Sequence, residues 1–175
     1  MPRRSGADRH VSSSRDQARG RDNRGLPRYA ATGPRDREEG MGSGDTSRTA
    51  IRLQPGEGRS YALGTMTAIF KADEEETGAR YSVSEWWLEP GADGPGAHSH
   101  EANDEIFYVI EGTASFLVDE SWLDAPRGTF LRIPAGVAHD FRNRTAARAG
   151  ILNVFIPGEF ERNMPAITDW FRENR

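Results

Sequence analysis

The chain has 175 residues, no cysteine and a formal net charge of −4, which excludes disulfides, thiolate metal sites, iron–sulfur clusters and cysteine nucleophiles. The charge is divided unevenly, since residues 1–48 carry 11 arginines against 7 acidic residues, whereas residues 49–175 carry 12 basic residues against 20 acidic ones. An acidic segment of this kind disfavours nucleic acid as a partner, because phosphate binding needs a basic face.

Residues 1–48 contain only scattered apolar side chains among arginine, serine, glycine and aspartate. Such a stretch cannot bury enough apolar surface to offset the entropy lost on ordering, so we predict a disordered Arg-rich tail. Met41 is a second candidate for the translation start beside Met1. The sequence has no run of about 18 apolar residues and no secretory signal pattern, so we predict a cytoplasmic protein that makes no contact with a membrane.

From residue 49 onward, short alternating segments are bounded by glycine, proline and aspartate, a pattern typical of an all-β sandwich or barrel. Turn residues such as those at 89–91 and 134–136 supply the backbone angles that a chain reversal needs. Strands are predicted at 66–71, 80–89, 105–110, 113–118, 128–133, 138–143 and 150–156.

The last segment has a helical period instead. Its apolar residues follow steps of four, three and four, which places one stripe on a helix: Phe160, Met164, Ile167 and Phe171. Asn163 is a candidate N-cap for this helix. We predict that the helix packs against the barrel and has little part in ligand binding.

Three of the four histidines of the chain fall in two patterned stretches, GAHSHEANDEIFYVIEG at 96–112 and GTFLRIPAGVAHDFRN at 128–143. His98 and His100 are two residues apart, and that spacing on an extended strand points both imidazoles to one face. Glu105 follows in the first stretch, and His139 lies in the second. A single strand histidine is more often a surface or core residue than a metal ligand, so the joint pattern carries the argument.

These stretches resemble the two motifs that define the cupin family, G-x5-H-x-H-x3,4-E-x6-G and G-x5-P-x-G-x2-H-x3-N. The first motif matches from His98 to Gly112, although Ala92 stands where its opening glycine is expected. The second motif is matched at every fixed position, by Gly128, Pro134, Gly136, His139 and Asn143. The resemblance implies a double-stranded β-helix, which is a jelly-roll cupin barrel, over residues 49–175 with the C-terminal helix included.

The same resemblance implies that His98, His100, Glu105 and His139 hold one divalent metal ion. Three neutral imidazoles and one carboxylate suit Fe, Mn, Ni, Cu, Co or Zn, and four protein ligands leave open positions for substrate or water. A single carboxylate on a divalent ion leaves the site with net positive charge, which favours an anionic enolate or carboxylate substrate.

Strand parity extends the prediction to the surroundings of the metal. If Glu105 points inward, so does Phe107, and the same step from His139 places Phe141 inward and Asp140 outward. An aromatic pocket of this kind favours an apolar or planar ligand with a few oxygens. The alternative is that the aromatic side chains simply fill a small barrel.

Two further residues are candidates for this pocket. Trp86 and Trp87 are adjacent and must face opposite sides of their strand, and we assign Trp86 to the pocket. Asn153 is a polar residue within the apolar run ILNVFI and is either a pocket hydrogen-bonder or a satisfied core amide. Arg142 and Arg144 fall on the outward parity, which weakens the case for a sugar-phosphate isomerase.

The motif spacing resembles that of quercetin-dioxygenase-like single-domain cupins, and this resemblance implies a metal-dependent dioxygenase acting on a small aromatic or enolisable substrate. In that mechanism the metal binds a substrate oxygen beside O2, and Glu105 is both a ligand and a proton acceptor. Because the fold does not fix the activity, two alternatives stay open: a metal-dependent isomerase or lyase, and a non-catalytic small-molecule-binding module. Assembly as a homodimer through an exposed barrel edge is a further hypothesis.

Overall fold

The computed structural model describes residues 49–174, so the predicted tail at residues 1–48 lies outside the described residues. In chain order the elements of this part are β1 (Arg59–Leu63), β2 (Met66–Ala72), α1 (Glu74–Thr77), β3 (Ser82–Leu88), β4 (Asp104–Glu111), β5 (Thr113–Val118), β6 (Ser121–Pro126), β7 (Phe130–Ile133), β8 (His139–Arg142), β9 (Ala149–Ile156) and α2 (Met164–Asn174). The strands form a six-stranded sheet in the order β1-β2-β3-β9-β4-β7 and a three-stranded sheet in the order β6-β5-β8, all with antiparallel neighbours.

The two sheets enclose the core, and β2, β3 and most of β4 and β9 contribute alternate side chains to it. In β2, for example, Met66, Ala68 and Phe70 are buried, whereas the residues between them are partly exposed. This alternation is the pattern that the sequence predicts, because side chains on a strand point to opposite faces. The predicted all-β jelly-roll architecture is therefore confirmed, and all seven predicted strands are present with ends within two residues of those predicted.

Three elements of the fold have no counterpart among the predicted ones: β1, β6 and α1. In β1 only Leu63 is buried, because the strand lies at the edge of the large sheet and has a single neighbour. The strand β6 carries the exposed Asp124 and Pro126 and also lies at a sheet edge. Edge strands with few buried positions lack the alternation on which strand prediction depends.

The predicted C-terminal helix is present as α2, and its buried residues are Met164, Ile167 and Phe171. Phe160 packs against the same core just before it. Asn163 lies within a 3-10 turn, Glu161–Asn163, that leads into α2. The apolar stripe and its packing against the barrel are thus confirmed.

The connection from β9 to α2 is fixed by the buried carboxylate of Asp73. It accepts hydrogen bonds from the hydroxyl of Ser82 and from the backbone N–H groups of Glu159 and Glu161, the latter two at 2.6 Å each. The Glu161 side chain in turn accepts hydrogen bonds from Arg59 on β1. A buried carboxylate with several donors is well satisfied, so these contacts hold the start of α2 against the large sheet.

Between residues 49 and 174, none of the helices combines the length and the apolar character that a membrane crossing requires. Location in the cytoplasm stays a prediction from the sequence.

Candidate metal centre

The two motif stretches meet through their backbones at His98 and His139. The N–H of His98 donates to the carbonyl of His139 at 3.0 Å, and the N–H of His139 donates to the carbonyl of His98 at 2.8 Å. His139 begins β8, and His98 lies in the segment between β3 and β4. This bridge places the two imidazole rings with their centroids 4.4 Å apart.

The other two predicted ligands join this pair. The ring of His100 has its centroid 5.1 Å from that of His98, and one ring nitrogen from each of the three histidines lies within 4.8 Å of the others. Glu105, the second residue of β4, points into the barrel and is 6 % exposed. Its Oε1 lies 3.1 Å from Nε2 of His100, and its Oε2 lies 3.4 Å from Nε2 of His139. The structure therefore brings all four predicted ligands together.

The orientation of two rings is set by backbone carbonyls. Nδ1 of His98 lies 2.7 Å from the carbonyl of Gly96, and Nδ1 of His139 lies 2.9 Å from the carbonyl of Val137. A carbonyl can only accept, so each Nδ1 carries a proton, and in the neutral form of each ring Nε2 keeps its lone pair. Carbonyl contacts of this kind orient histidine ligands in metal proteins.

The surroundings of Nε2 of His100 and Nε2 of His139 indicate whether a cation fits between the ligands. Both are buried, and neither makes a well-aligned hydrogen bond in this structure. In the neutral form of His139 the lone pair of Nε2 faces a carboxylate oxygen of Glu105, and either a proton or a metal cation between the two atoms relieves their repulsion. The donor set of imidazole nitrogens and one carboxylate therefore fits a divalent transition metal.

The pKa shifts of His98, Glu105 and His139 reflect how closely these groups interact. Burial, together with the neighbouring His139, lowers the pKa of His98 to about 4, so this ring is neutral at physiological pH. Burial opposes ionisation of Glu105, but its contacts with His100 and His139 outweigh burial and hold its pKa below the usual value. Burial likewise acts against the charged form of His139, yet Glu105 raises its pKa. An ionised carboxylate next to imidazole nitrogens is a donor set that can bind a cation.

A narrow cavity adjoins this cluster, with a volume of about 30 Å³. Its lining includes His98 and Glu105 together with all four residues that the sequence analysis assigned to a pocket, which are Trp86, Phe107, Phe141 and Asn153. This space is large enough for a water molecule but too small for an aromatic ligand, since pockets for drug-sized ligands are typically of about 300 Å³ or more. Whether the four residues contact a substrate stays a prediction.

The C-terminal segment forms the remaining wall of the cavity, through Phe160, Ile167 and Phe171. The sequence analysis predicted that this stripe packs against the barrel but did not identify it as a cavity wall. The helical period of these apolar residues predicts that one face of the helix is buried. It does not predict which end of the barrel that face covers. The helix α2 therefore closes the cavity in addition to packing on the core.

The two tryptophans divide as strand parity predicts. Trp86 is buried, donates its indole N–H to the hydroxyl of Ser84 at 3.0 Å and meets Phe141 edge to face. Trp87 faces the other side of the sheet, where the guanidinium of Arg148 lies 4.3 Å from its ring centroid. Only Trp86 reaches the cavity wall.

Asp140, which strand parity assigns to the outward side of β8, is nevertheless buried, with 8 % exposure. The segment before His98 passes over β8 at this point, and a Cβ atom at Gly94 would lie 1.7 Å from the carbonyl oxygen of Phe141. Asp140 accepts hydrogen bonds from the N–H groups of Gly96 and Phe141, at 3.1 and 2.8 Å. It thereby ties the segment that carries His98 to the strand that carries His139.

Two motif positions have structural roles. Asn143 is buried, and its amide N–H₂ donates to the carbonyls of Leu88, Glu89 and Ala147, which fastens the loop before β9. Ala92, at the place of the expected glycine, is also buried, and the left-handed backbone angle falls on Gly91, with φ of 71°. The departure from the motif thus leaves the turn intact.

The arginines near the motifs lie away from the cavity. Arg142 and Arg144 both lie over the ring of Trp122, at 3.7 and 4.7 Å from its centroid, and Arg132 pairs with Asp104 at 2.6 Å. Among the described residues that line the cavity there is no arginine or lysine. The expected outward position of Arg142 and Arg144 agrees with this geometry.

Comparison with known proteins adds family information to this geometry. Residues 84–155 match the family model Cupin_2, described as a cupin domain. Quercetin 2,3-dioxygenase from Bacillus subtilis (strain 168) is 30 % identical over 111 residues, which cover 62 % of this chain and 32 % of that enzyme, so the chain spans about a third of its length.

Solved structures agree with the family model. An RmlC-like cupin from Shewanella frigidimarina has a TM-score of 0.56 at 17 % identity, covering 65 % of this chain and 96 % of that one. Ectoine synthase from P. lautus has a TM-score of 0.53 at 16 % identity, covering 61 % and 75 % of the two chains. These likenesses concern the fold alone. The matched stretch, residues 84–155, contains both motifs, so this part of the chain is a cupin domain.

Proposed function

We propose that this chain is a metal-dependent oxidoreductase of the dioxygenase type that acts on a small aromatic or enolisable substrate. The observation that carries the proposal is the convergence of three imidazoles and the Glu105 carboxylate at one end of a cavity with aromatic walls. The 30 % identity to quercetin 2,3-dioxygenase supports the reaction class over the part of that enzyme that the chain covers.

His98, His100, His139 and Glu105 would hold the ion. A redox-active divalent ion at this place would supply Lewis acidity towards an enol or phenolate oxygen and the electron transfer that reaction with O2 requires. Four protein ligands leave coordination positions free for these two molecules.

Glu105 has a second role in this proposal, as acceptor of the substrate's hydroxyl proton. Its pKa is held low, so the carboxylate is ionised at neutral pH, and a hydroxyl group bound to the metal would be acidic enough to pass its proton to this weak base. The amide nitrogen of Asn153 lies 3.4 Å from Oε2 of Glu105 and can orient that oxygen. Asn153 is therefore a positioning residue, which acts through the carboxylate.

The cavity wall favours a flat apolar substrate. Trp86 and Phe141 stand edge to face, and Phe107 packs beside Phe141 with ring centroids 5.9 Å apart, so an aromatic ring would meet further ring edges and faces there. Apolar walls also exclude water from the reacting atoms. Since neither arginine nor lysine lines the described cavity, a phosphate group on the substrate would find no side-chain clamp apart from the metal ion, which argues against a sugar-phosphate isomerase.

The space is too small for such a substrate in the present arrangement. Access requires that Phe160, Ile167 or Phe171 move away from the cluster, because these side chains form the wall contributed by the C-terminal segment. Binding of a bulky ligand would thus be coupled to displacement of this segment.

The proposal is tested by metal analysis followed by turnover measurements. The purified full chain is loaded in turn with Fe(II), Mn(II), Co(II), Ni(II), Cu(II) and Zn(II), and each form is incubated with flavonols and 1,3-diketones in an oxygen electrode. Oxygen uptake that depends on both metal and substrate is expected. His139→Ala should abolish it, whereas His10→Ala, which removes the one histidine outside both motifs, should leave it unchanged.

A parallel incubation under argon separates the alternatives. Product formed equally fast without O2 would replace the proposal with a metal-dependent lyase or isomerase. Tight ligand binding without any turnover in either atmosphere would replace it with a binding module.

A further inference from the structure

The outward side of the three-stranded sheet carries two arginines that lie over one tryptophan. Trp122 lies on the edge strand β6, Arg142 lies on β8, and Arg144 follows two residues later. The guanidinium carbon of Arg142 lies 3.7 Å from the centroid of the Trp122 ring, and that of Arg144 lies 4.7 Å from it. Taken together, these two distances place the guanidinium carbons at most 8.4 Å apart. We call these three residues the Arg–Trp cluster.

The backbone fixes the positions of both arginines. Arg142 is opposite Ser115 of β5, and Trp122 is opposite Leu117 of the same strand, so the Arg142 side chain reaches across β5 to the ring. The residue between the two arginines is Asn143, whose buried amide is fastened to three backbone carbonyls. A guanidinium that already lies on a ring loses little conformational freedom when it binds an anion.

Neither arginine has an acidic partner among residues 49–174. Two acids share the outward side of this sheet, and both make other contacts. The carboxylate of Asp124 accepts a hydrogen bond from the Ser115 hydroxyl at 2.6 Å, and that of Asp140 accepts from two backbone N–H groups. Nε of Arg142 is buried and has no acceptor in the same part of the chain. The donors of these guanidinium groups are therefore not used by the described residues.

A second arginine–tryptophan contact gives a comparison within the chain. Arg148 lies over the ring of Trp87 at 4.3 Å, but its Nε is also 3.6 Å from the carboxylate of Glu89. The Arg–Trp cluster has two positive charges and no such partner, although residues 49–175 carry eight more acidic than basic residues. Like charges at short range repel each other, so an anion bound between them would stabilise the cluster.

We propose that the Arg–Trp cluster binds a phosphate monoester group. Each guanidinium can donate two parallel hydrogen bonds, and a phosphate monoester presents three acceptor oxygens and a charge of about −1.5 to −2 at neutral pH. A carboxylate has one negative charge and would balance only half of the charge of the two arginines. A guanidinium over a ring keeps its N–H edges available, because its donors lie in its own plane.

This site is independent of the proposed reaction, since none of its three residues lines the cavity beside the metal centre. Two arginines are too few for a nucleic-acid backbone, whose binding neutralises a series of phosphates. The ligand is therefore the phosphate group of a small molecule or of a phosphorylated side chain, and these two sources can be separated by experiment.

Titration calorimetry of the Zn(II)-loaded full chain with phenyl phosphate tests the proposal first. Binding is expected, and phenyl sulfate, which has a similar shape but one negative charge, should bind at least about 10-fold more weakly. Arg142→Gln and Arg144→Gln should each weaken phenyl phosphate binding by about 10-fold, and the double variant should lose it. Arg148→Gln is the matched control, because this arginine also lies over a tryptophan but has an acidic partner, and its affinity should be unchanged.

Nuclear magnetic resonance locates the bound group and detects variants that fail to fold. The chain has four tryptophans, so isotope-labelled protein gives four indole N–H signals, and Trp122→Phe identifies the one from Trp122. Phenyl phosphate should shift this signal and leave that of Trp87 in place. A spectrum of Arg144→Gln that is otherwise unaltered shows that loss of binding in this variant is not a loss of fold.

A short peptide that carries phosphotyrosine separates the two sources of the phosphate. Tighter binding than that of phenyl phosphate assigns the site to a phosphorylated protein segment, whereas equal or weaker binding assigns it to a small phosphate ester. Three results would overturn the proposal: no binding of phenyl phosphate up to about 10 mM, equal affinity for phenyl sulfate, or full affinity in the double arginine variant, which would place the phosphate at the metal centre.

Discussion

Asp140 accepts a hydrogen bond from the N–H of Gly96, two residues before His98, while it stands one residue after His139 on β8. A single carboxylate thus fastens the segment of one metal motif to the strand of the other. The reciprocal backbone hydrogen bonds between His98 and His139 complete the junction. The imidazoles are therefore held in place before any ion binds, which lowers the ordering cost of binding.

The first prediction concerns the ligands themselves. His139→Ala and Glu105→Ala should each lose metal in the purified protein, because each removes a donor from a site of four. Elemental analysis gives the metal content per chain, and His10→Ala is the matched control with unchanged content. Both variants purified with a full complement of metal would refute the assigned ligand set.

The second prediction follows from the Asp140 junction. Asp140→Ala should weaken metal binding by about 10- to 100-fold, since outer partners that orient ligands typically have effects of this size. A competition titration with a chromophoric chelator measures the affinity. Asp169→Asn, at an exposed acid on α2, is the control, and equal affinities in the two variants would show that Asp140 has no part in placing His98.

The motif resemblance predicted the ligands, and strand parity extended the prediction to their neighbours because it depends on local geometry alone. Phe107 follows Glu105 by two residues, and Phe141 follows His139 by two, so their inward direction can be inferred from the ligands. The burial of Asp140 could not be predicted in this way. Its outward direction was inferred from the same rule, but the rule says nothing of the segment around Gly94 that covers the outward side of β8.

The other features that the sequence did not predict arise from contacts between segments that are distant in the chain. The role of Asp73 depends on its contacts with residues 159–161, which no local pattern reveals. The same holds for Phe160, whose ring lies 4.8 Å by centroid from that of Phe155 and 5.9 Å from that of His100. Hydrophobic periodicity finds the elements of a fold, whereas their mutual placement is decided by tertiary packing.

The third prediction concerns the wall formed by α2. Phe171→Ala should lower the free energy of unfolding by about 3 to 5 kcal/mol, because it removes a buried ring. The same truncation enlarges the cavity beside the metal centre, so affinity for a bulky flavonol should rise relative to that for a small diketone. Urea unfolding and fluorescence titration measure the two effects. Arg172→Ala, at the neighbouring exposed position, should change neither, and an unaltered ligand preference in Phe171→Ala would remove α2 from the access route.

The fourth prediction concerns acid stability. Burial opposes ionisation of Glu76, but the hydrogen bond from Arg59 and that from the Asp73 N–H hold its pKa below the usual 4.5. A lowered carboxyl pKa contributes stability that is present above the unfolded-state pKa and is lost as the pH falls through the folded-state value.

Glu76→Gln should therefore be less stable than the wild type at pH 7, by about 1 kcal/mol for a partly exposed ion pair. The difference should shrink as the pH falls below 4.5, because the wild-type carboxyl then takes up a proton and loses its advantage over the amide. Urea unfolding at a series of pH values gives both curves, with Glu120→Gln on the β5–β6 turn as the control. A gap that stays constant between pH 7 and pH 3 would show that the charge of Glu76 contributes nothing to the stability that its hydrogen bonds provide.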